Sequence, residues 1–192
     1  MTEPVRCAWV SDDELYRKYH DEEWGVPVFD DKKLFEFLLL ESFQAGLSWL
    51  TILKKRENFR KAFDDFDYEK IAHYDSVKLS QLINNKGIIR NSLKIKAAVN
   101  NAGRFMEIQD EYGSFSNFIW SFVKNKPIIN HFTAAEQVPA HTPLSDKISK
   151  ELKNRGFKFT GSTIVYSFMQ ATGIVMDHTT NCFRYKELKN KT

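Results

Sequence analysis

Two cysteines, Cys7 and Cys182, stand near opposite ends of this 192-residue chain, each with a histidine in the neighbouring sequence. His178 precedes Cys182 by four positions in MDHTTNC, and His20 closes the segment LYRKYH downstream of Cys7. Two thiolates and two imidazoles are the donor set of a closed, structural zinc site. The i, i+4 spacing puts His178 and Cys182 on one helical face, and His20 ends a short capped helix, so local structure can present each pair. The spacing between the pairs is unlike that of a zinc finger. The alternative, two buried cysteines and two hydrogen-bonded histidines, stays open, cysteine being among the most buried residue types.

Glu41 is the second chemically loaded position. It lies inside FLLLESFQAGLSW, where the pattern calls for an apolar residue. A carboxylate there must be paired, neutralised, or left for a ligand that brings hydrogen-bond donors. A buried salt bridge is the ordinary outcome. The aromatic company favours a ligand: Trp49 follows eight residues on, and Tyr19 and Trp24 flank His20. Flat rings around one carboxylate form a slot for a planar, electron-poor, donor-bearing group.

The elements that must position these residues read as helices. Ser11 with Glu14 makes a capping box, Asp30 or Asp31 starts an apolar helix that reads as buried on most sides, and Ser48 restarts a helix after Gly46. Residues 91–112 form a long amphipathic helix closed by Gly113, and the segment from Lys126 to His141 is the most loop-like. Thr142 and Pro143 start another helix that Gly156 ends. GFKFTG then leads into STIVYSFMQATG. A helix entered through Gly161 exposes its first amides, with the Ser162 and Thr163 hydroxyls beside them and Lys153, Arg155 and Lys158 near. That combination suits an anion, although a tight turn between two helices with solvated lysines reads the same way. The expected fold is all-α, one domain over residues 1–192, with two helical lobes around a pocket as an option and 184–192 as a flexible tail.

Composition narrows the class. A 42% apolar and 14% aromatic chain with sixteen Phe supports a globular core, and the net charge of +3 permits a polyanionic partner without requiring one. No apolar run approaches the ~20 residues of a membrane span. The first residues, MTEPVRCAWVSDDE, hold no signal core, which points to a reducing cytoplasmic setting and disfavours a Cys7–Cys182 disulfide.

Taken together and in order, CAWV, YHDEEWGVP, LESFQAGLSWLTILKKRENFR, RGFKFTGSTIVYSFMQATG and DHTTNC resemble the DNA-3-methyladenine glycosylase I family, from about Arg6 to Cys182. The resemblance implies an all-α helix-hairpin-helix glycosylase with a structural zinc on Cys7, His20, His178 and Cys182. It implies that Glu41 recognises the base, that Tyr19 and Trp49 stack on it, and that Trp24 and Trp9 extend the pocket wall. It also implies a phosphate-gripping hairpin at Gly156, Lys158, Gly161, Ser162 and Thr163, and a loop at Gly46 and Leu47 that enters the duplex. Leu47 as a wedge competes with Leu47 as a core residue beneath the helix break. Asp177 lies near the place of the catalytic aspartate of other helix-hairpin-helix glycosylases, a pattern from which this family departs; it reads as a supporting or capping residue, its catalytic role open.

The implied activity is removal of 3-methyladenine from alkylated double-stranded DNA by a monomer that leaves an abasic site. Methylation at N3 makes the base a cationic leaving group, so extrusion, binding and stabilisation of the sugar cation matter more than protonation. Two rivals remain: a zinc-stapled module that binds modified bases without cleaving them, and a metallohydrolase. Four protein ligands argue against the second, because catalytic zinc keeps a position for water.

Overall fold

Residues 3–190 are described by the computed structural model, and helices account for most of them. Helix α1 (Glu14–Glu22) starts not from a Ser11–Glu14 box but from Asp13, whose carboxylate accepts from the Leu15 amide. A charged cap complements the positive helix end, and Ser11 accepts from the Asp13 amide one turn earlier. Asp30 caps α2 (Asp31–Gln44), in which every residue from Leu34 to Phe43 is buried, as its all-round apolar sequence requires. Ser48 caps α3 (Trp49–Ala62).

Aspartates cap the short α4 (Tyr68–Ala72) and α5 (Ser76–Asn84). Helix α6 (Ser92–Tyr112) ends at Gly113, in the left-handed region with φ 79°. Helix α7 (Phe115–Ser121) is tied to the start of α2 because the Asp31 carboxylate accepts from the Phe115 and Ser116 amides. One continuous core, running from Cys7 to Cys182 and rich in phenylalanine, joins these helices.

Beyond α7 the structure departs from expectation in three places. The loop-like segment contains β1 (Ile128–Ile129), and after α8 (Pro143–Asn154) and α9 (Ser162–Ala171) it pairs in parallel with β2 (Val175–Met176). Two-residue strands are too short to show alternation. His178 and Cys182 do not share a helix: His178 follows β2 in extended chain, and Cys182 is the N-cap of α10 (Phe183–Lys189). Residues 184–190 are no tail, since Tyr185 and Leu188, one turn apart, are buried against Met176, and the Phe183 amide donates to the Val5 carbonyl. Residues 191 and 192 of the expected tail lie outside the described residues. No helix among the described residues is long and apolar enough to cross a membrane.

The turn after α9 passes unusually close to the segment after α1. At Gly173, φ is +68° and an added Cβ would lie 2.4 Å from backbone atoms of Val26 and Pro27. Gly173→Ala is therefore expected to cost about 2–3 kcal/mol, or roughly 4–12 °C in Tm, as read by calorimetry.

Candidate active site and metal centre

A cavity of about 350 Å³ gathers Glu41 from α2, Tyr19 from α1, Trp49 from α3, and Trp9 and Trp24 from the segments flanking α1. Trp49 meets Tyr19 at 5.5 Å between ring centroids, and Trp9 meets Trp24 at 4.9 Å, edge-on. The five residues singled out from sequence thus share one wall system. Tyr16, Gln44, Ser167 and Gln170 also line it, as do Ala135 and Val138 from the segment read as loop. Tyr16 carries a sequence signal, lying one helical turn before His20 and three residues before Tyr19. Gln44 carries one too, lying three residues after Glu41 on α2, whereas Ala135, Val138, Ser167 and Gln170 are contributed by chain folded back from far away and carry none.

Two buried glutamates on α2 have opposite surroundings. Glu36 accepts from Arg56 and Arg60 at 2.8 Å and pairs with Lys33 at 3.0 Å. Glu41, equally buried at 3% exposure, has no cation beside it and no hydrogen-bond partner for its Oε2 among the described residues. Burial alone pushes the Glu41 carboxyl well above the usual carboxylate range. The Trp49 indole N–H is likewise without a partner. A folded chain leaves such groups unsatisfied at a cost, so the slot is shaped for a ligand with donors facing Glu41.

Asp177 lines the same cavity and is fully engaged. It accepts from Tyr166 Oη at 2.6 Å, Gln170 Nε2 at 2.8 Å and Asn130 Nδ2 at 2.7 Å. A carboxylate accepts only, so Gln170 turns its amide nitrogen toward Asp177 and its carbonyl oxygen away. Asp177 thus clamps α9 to the residues that follow β1 and β2, and among the described residues these bonds take it neither to a candidate metal ligand nor to a helix-start amide.

Behind the pocket, the candidate ligand atoms of Cys7, His20, His178 and Cys182 all lie within 4.8 Å of one another, and all four residues are buried. His178 Nδ1 lies 3.5 Å from both Cys7 Sγ and Cys182 Sγ, and His20 Nε2 is 3.5 Å from Cys182 Sγ. Bond lengths of about 2.3 Å for sulfur and 2.0–2.1 Å for nitrogen give a tetrahedral S–N edge of about 3.5 Å, so the donors fit zinc. The remaining ring nitrogens are oriented: His20 Nδ1 lies 2.7 Å from Asp21, itself held by Arg6, and His178 Nε2 donates to the Trp24 carbonyl at 3.0 Å. The centre adjoins the pocket. Cys7 lines both, and the rings of Trp9 and Trp24 abut His20 and His178 at 5.2 and 4.7 Å.

Two turns project from the scaffold on the elements flanking α6. In the first, between α2 and α3, Gly46 has φ +82° and Leu47 is 40% exposed, which removes the core-leucine alternative. In the second, between α8 and α9, Gly156 takes φ +87°, and the Phe157 amide closes the helix end on the Leu152 carbonyl. Gly161 caps α9 without any side-chain hydrogen bond; its φ of −65° suits any residue, and an added Cβ would meet nothing within 4 Å. The local backbone does not require a glycine there. Lys158 is exposed, but Arg155 is engaged by Glu111 and Glu151 at 2.6 and 2.7 Å and is withdrawn from the anion-binding set. Asn101 holds this turn from α6, donating to the Lys158 carbonyl and accepting from its amide, both at 2.8 Å.

The geometry is that of a mostly helical scaffold that carries a buried carboxylate in an aromatic slot and a hairpin whose second helix starts without a side-chain cap. Residues 9–185 match the family model of methyladenine glycosylase, and the chain belongs to that family. It is 49% identical over 180 residues to DNA-3-methyladenine glycosylase 1 of Escherichia coli strain K12, covering 94% of this chain and 96% of that protein. A crystal structure of a 3-methyladenine DNA glycosylase I superposes with a TM-score of 0.91 at 51% identity, covering 93% of this chain and 98% of the other. The Staphylococcus aureus 3-methyladenine DNA glycosylase I, solved for its recognition of 3-methyladenine, superposes with a TM-score of 0.90 at 41% identity, over 93% and 95% of the two chains.

Proposed function

We propose that this chain is a base-excision-repair glycosylase of the bacterial cytoplasm, acting as a monomer, that removes 3-methyladenine from alkylated double-stranded DNA and leaves the strand uncut. The unpartnered Glu41 carboxylate in the aromatic slot carries this reading. An extruded N3-methylated adenine is cationic, and its exocyclic amine supplies the donor that Glu41 lacks. Tyr19 and Trp49 stack on the electron-poor ring, an attraction worth up to ~2 kcal/mol when desolvated. The glycosidic bond breaks with its electron pair passing to the base, which discharges the ring, and water adds to the sugar carbon with loss of a proton. No lysine lines the cavity among the described residues, which supports hydrolysis without a Schiff base. Zinc held by Cys7, His20, His178 and Cys182 would supply structural cross-linking of the chain ends, with no part in the bond cleavage.

Release of free 3-methyladenine from methylated duplex, with the strand intact until alkali is added, tests the activity. Base binding without release would instead identify a binding module. The hairpin should contribute affinity that ignores sequence. Lys158→Ala, and a bulky residue at Gly161, are expected to weaken binding to undamaged and abasic duplexes by similar factors while free-base affinity holds. Lys158→Ala should also lower the log–log salt slope by about 1. Ser162 and Thr163 at the start of α9 face the same ligand. A collapse of free-base affinity in these variants would place the hairpin in the wrong site.

A further inference from the structure

Lys94 is a buried cation that the proposed chemistry does not use. It lies in the first turn of α6 at 6% exposure, and no carboxylate pairs with it among the described residues. Its Nζ donates instead to the Phe43 carbonyl at 2.8 Å and the Ala45 carbonyl at 2.7 Å. The location is electrostatically poor for an ammonium. The start of α6 is the positive end of that helix, and burial lowers the Lys94 pKa. Filling the core would not require a charge, since an apolar chain of the same length would do it at lower cost.

What the charge does is finish α2. A helix leaves its last carbonyls without partners, and glycine-based caps usually satisfy them. Here α2 leaves its course at Ala45, with φ −44° and ψ 114°, and the chain turns at Gly46 to expose Leu47. The Lys94 ammonium takes two of these carbonyls, one on each side of Gln44, and so fixes the root of the exposed turn. The same helix holds the hairpin through Asn101, about 10 Å further along its axis by helical rise.

We propose that Lys94 is a positioning residue for duplex entry: it holds the 45–48 turn in the one conformation that presents Leu47 at a fixed offset from the hairpin. The proposal rests on the reading that this turn enters the duplex. A wedge must be rigid, because any freedom at its root is spent when the base stack pushes back. The base slot depends on Lys94 far less, since Leu39, Leu40 and Phe43 around Glu41 are held by the core.

The test compares Lys94→Met, Lys94→Arg and Leu47→Ala in the full chain by three measurements: amide exchange at residues 46–48, affinity for free 3-methyladenine, and single-turnover excision from methylated duplex. Lys94→Met is expected to speed exchange in the turn and to slow excision about tenfold or more, with free-base affinity within about twofold of wild type. Lys94→Arg, which keeps donors for both carbonyls, should recover most of the excision rate, and Leu47→Ala should be slow with unchanged exchange at the root. Unchanged exchange or unchanged excision in Lys94→Met beside a slow Leu47→Ala would overturn the role of Lys94 and leave the wedge standing. Wild-type excision by Leu47→Ala would overturn the wedge and the proposal with it. Parallel loss of free-base affinity and excision in Lys94→Met would also overturn it, by showing that the lysine acts through the base slot.

Discussion

Glu41→Gln is expected to yield a protein that is more stable than wild type at neutral pH and yet poor at binding and excising the methylated base. The two effects have one cause. Burial raises the folded-state pKa of Glu41 far above its unfolded value, so its contribution to stability is fully present below the unfolded pKa of about 4.3 and is lost as pH rises toward the folded one. Glutamine ionises in neither state, so this pH-dependent loss is absent from the variant. Relief of about 1–3 kcal/mol corresponds to roughly 2–12 °C in Tm at pH 7.5, shrinking as the pH falls toward 5. A charge-assisted hydrogen bond to the exocyclic amine is worth about 1.5–3 kcal/mol, so affinity for free 3-methyladenine should fall roughly ten- to a hundredfold.

Excision separates the same point kinetically. The methylated base in DNA carries a fixed positive charge, and the ionised form of Glu41 is the one that attracts it. The wild-type rate should therefore rise with pH through the folded pKa of Glu41, and the Glu41→Gln profile should lose that limb. Because the methylated base leaves readily by itself, a modest rate loss fits the role. Unchanged affinity and a superimposable pH profile in a folded variant would return Glu41 to a structural part.

The contrast between Glu36 and Glu41 shows where sequence stops informing. Both sit five residues apart in one apolar run, and nothing local separates them. What separates them is Arg56 and Arg60, delivered to Glu36 by the next helix, and the absence of any such delivery to Glu41. Caps such as Ser48 and the Thr142–Pro143 start were legible because they are decided within one turn of chain. The Asp177 clamp, the Asn101 grip on the hairpin and the Lys94 plug each join residues about 50 apart or spread over several elements, so periodicity is silent about them. Asn100 and Asn101 did leave a trace, as a polar pair interrupting the apolar face of α6. The C-terminal helix was hidden for another reason. Its two buried residues, Tyr185 and Leu188, are too few to stand out against the surrounding lysines.

Cys182→Ala is expected to remove stoichiometric zinc and to lower Tm by about 8–16 °C, the equivalent of roughly 4 kcal/mol, which is small beside the ~10–16 kcal/mol of structural zinc sites in isolated peptides. The large core explains the difference, because most of this fold does not depend on the metal. What would depend on it is the joint between the two segments that carry the four donors. Cys7 precedes α1 and Cys182 starts α10, so a metal among the four donors fastens the first helix to the last. The joint also backs the base pocket, where Trp9 and Trp24 lean on His20 and His178. Loss of zinc should therefore reduce affinity for 3-methyladenine several-fold in the fraction that stays folded, less than Glu41→Gln does, while stability moves in the opposite direction. Metal analysis of carefully purified wild-type protein decides the premise: one zinc per chain is the expected result, and none would remove the metal from the account and leave Cys7 and Cys182 as buried thiols.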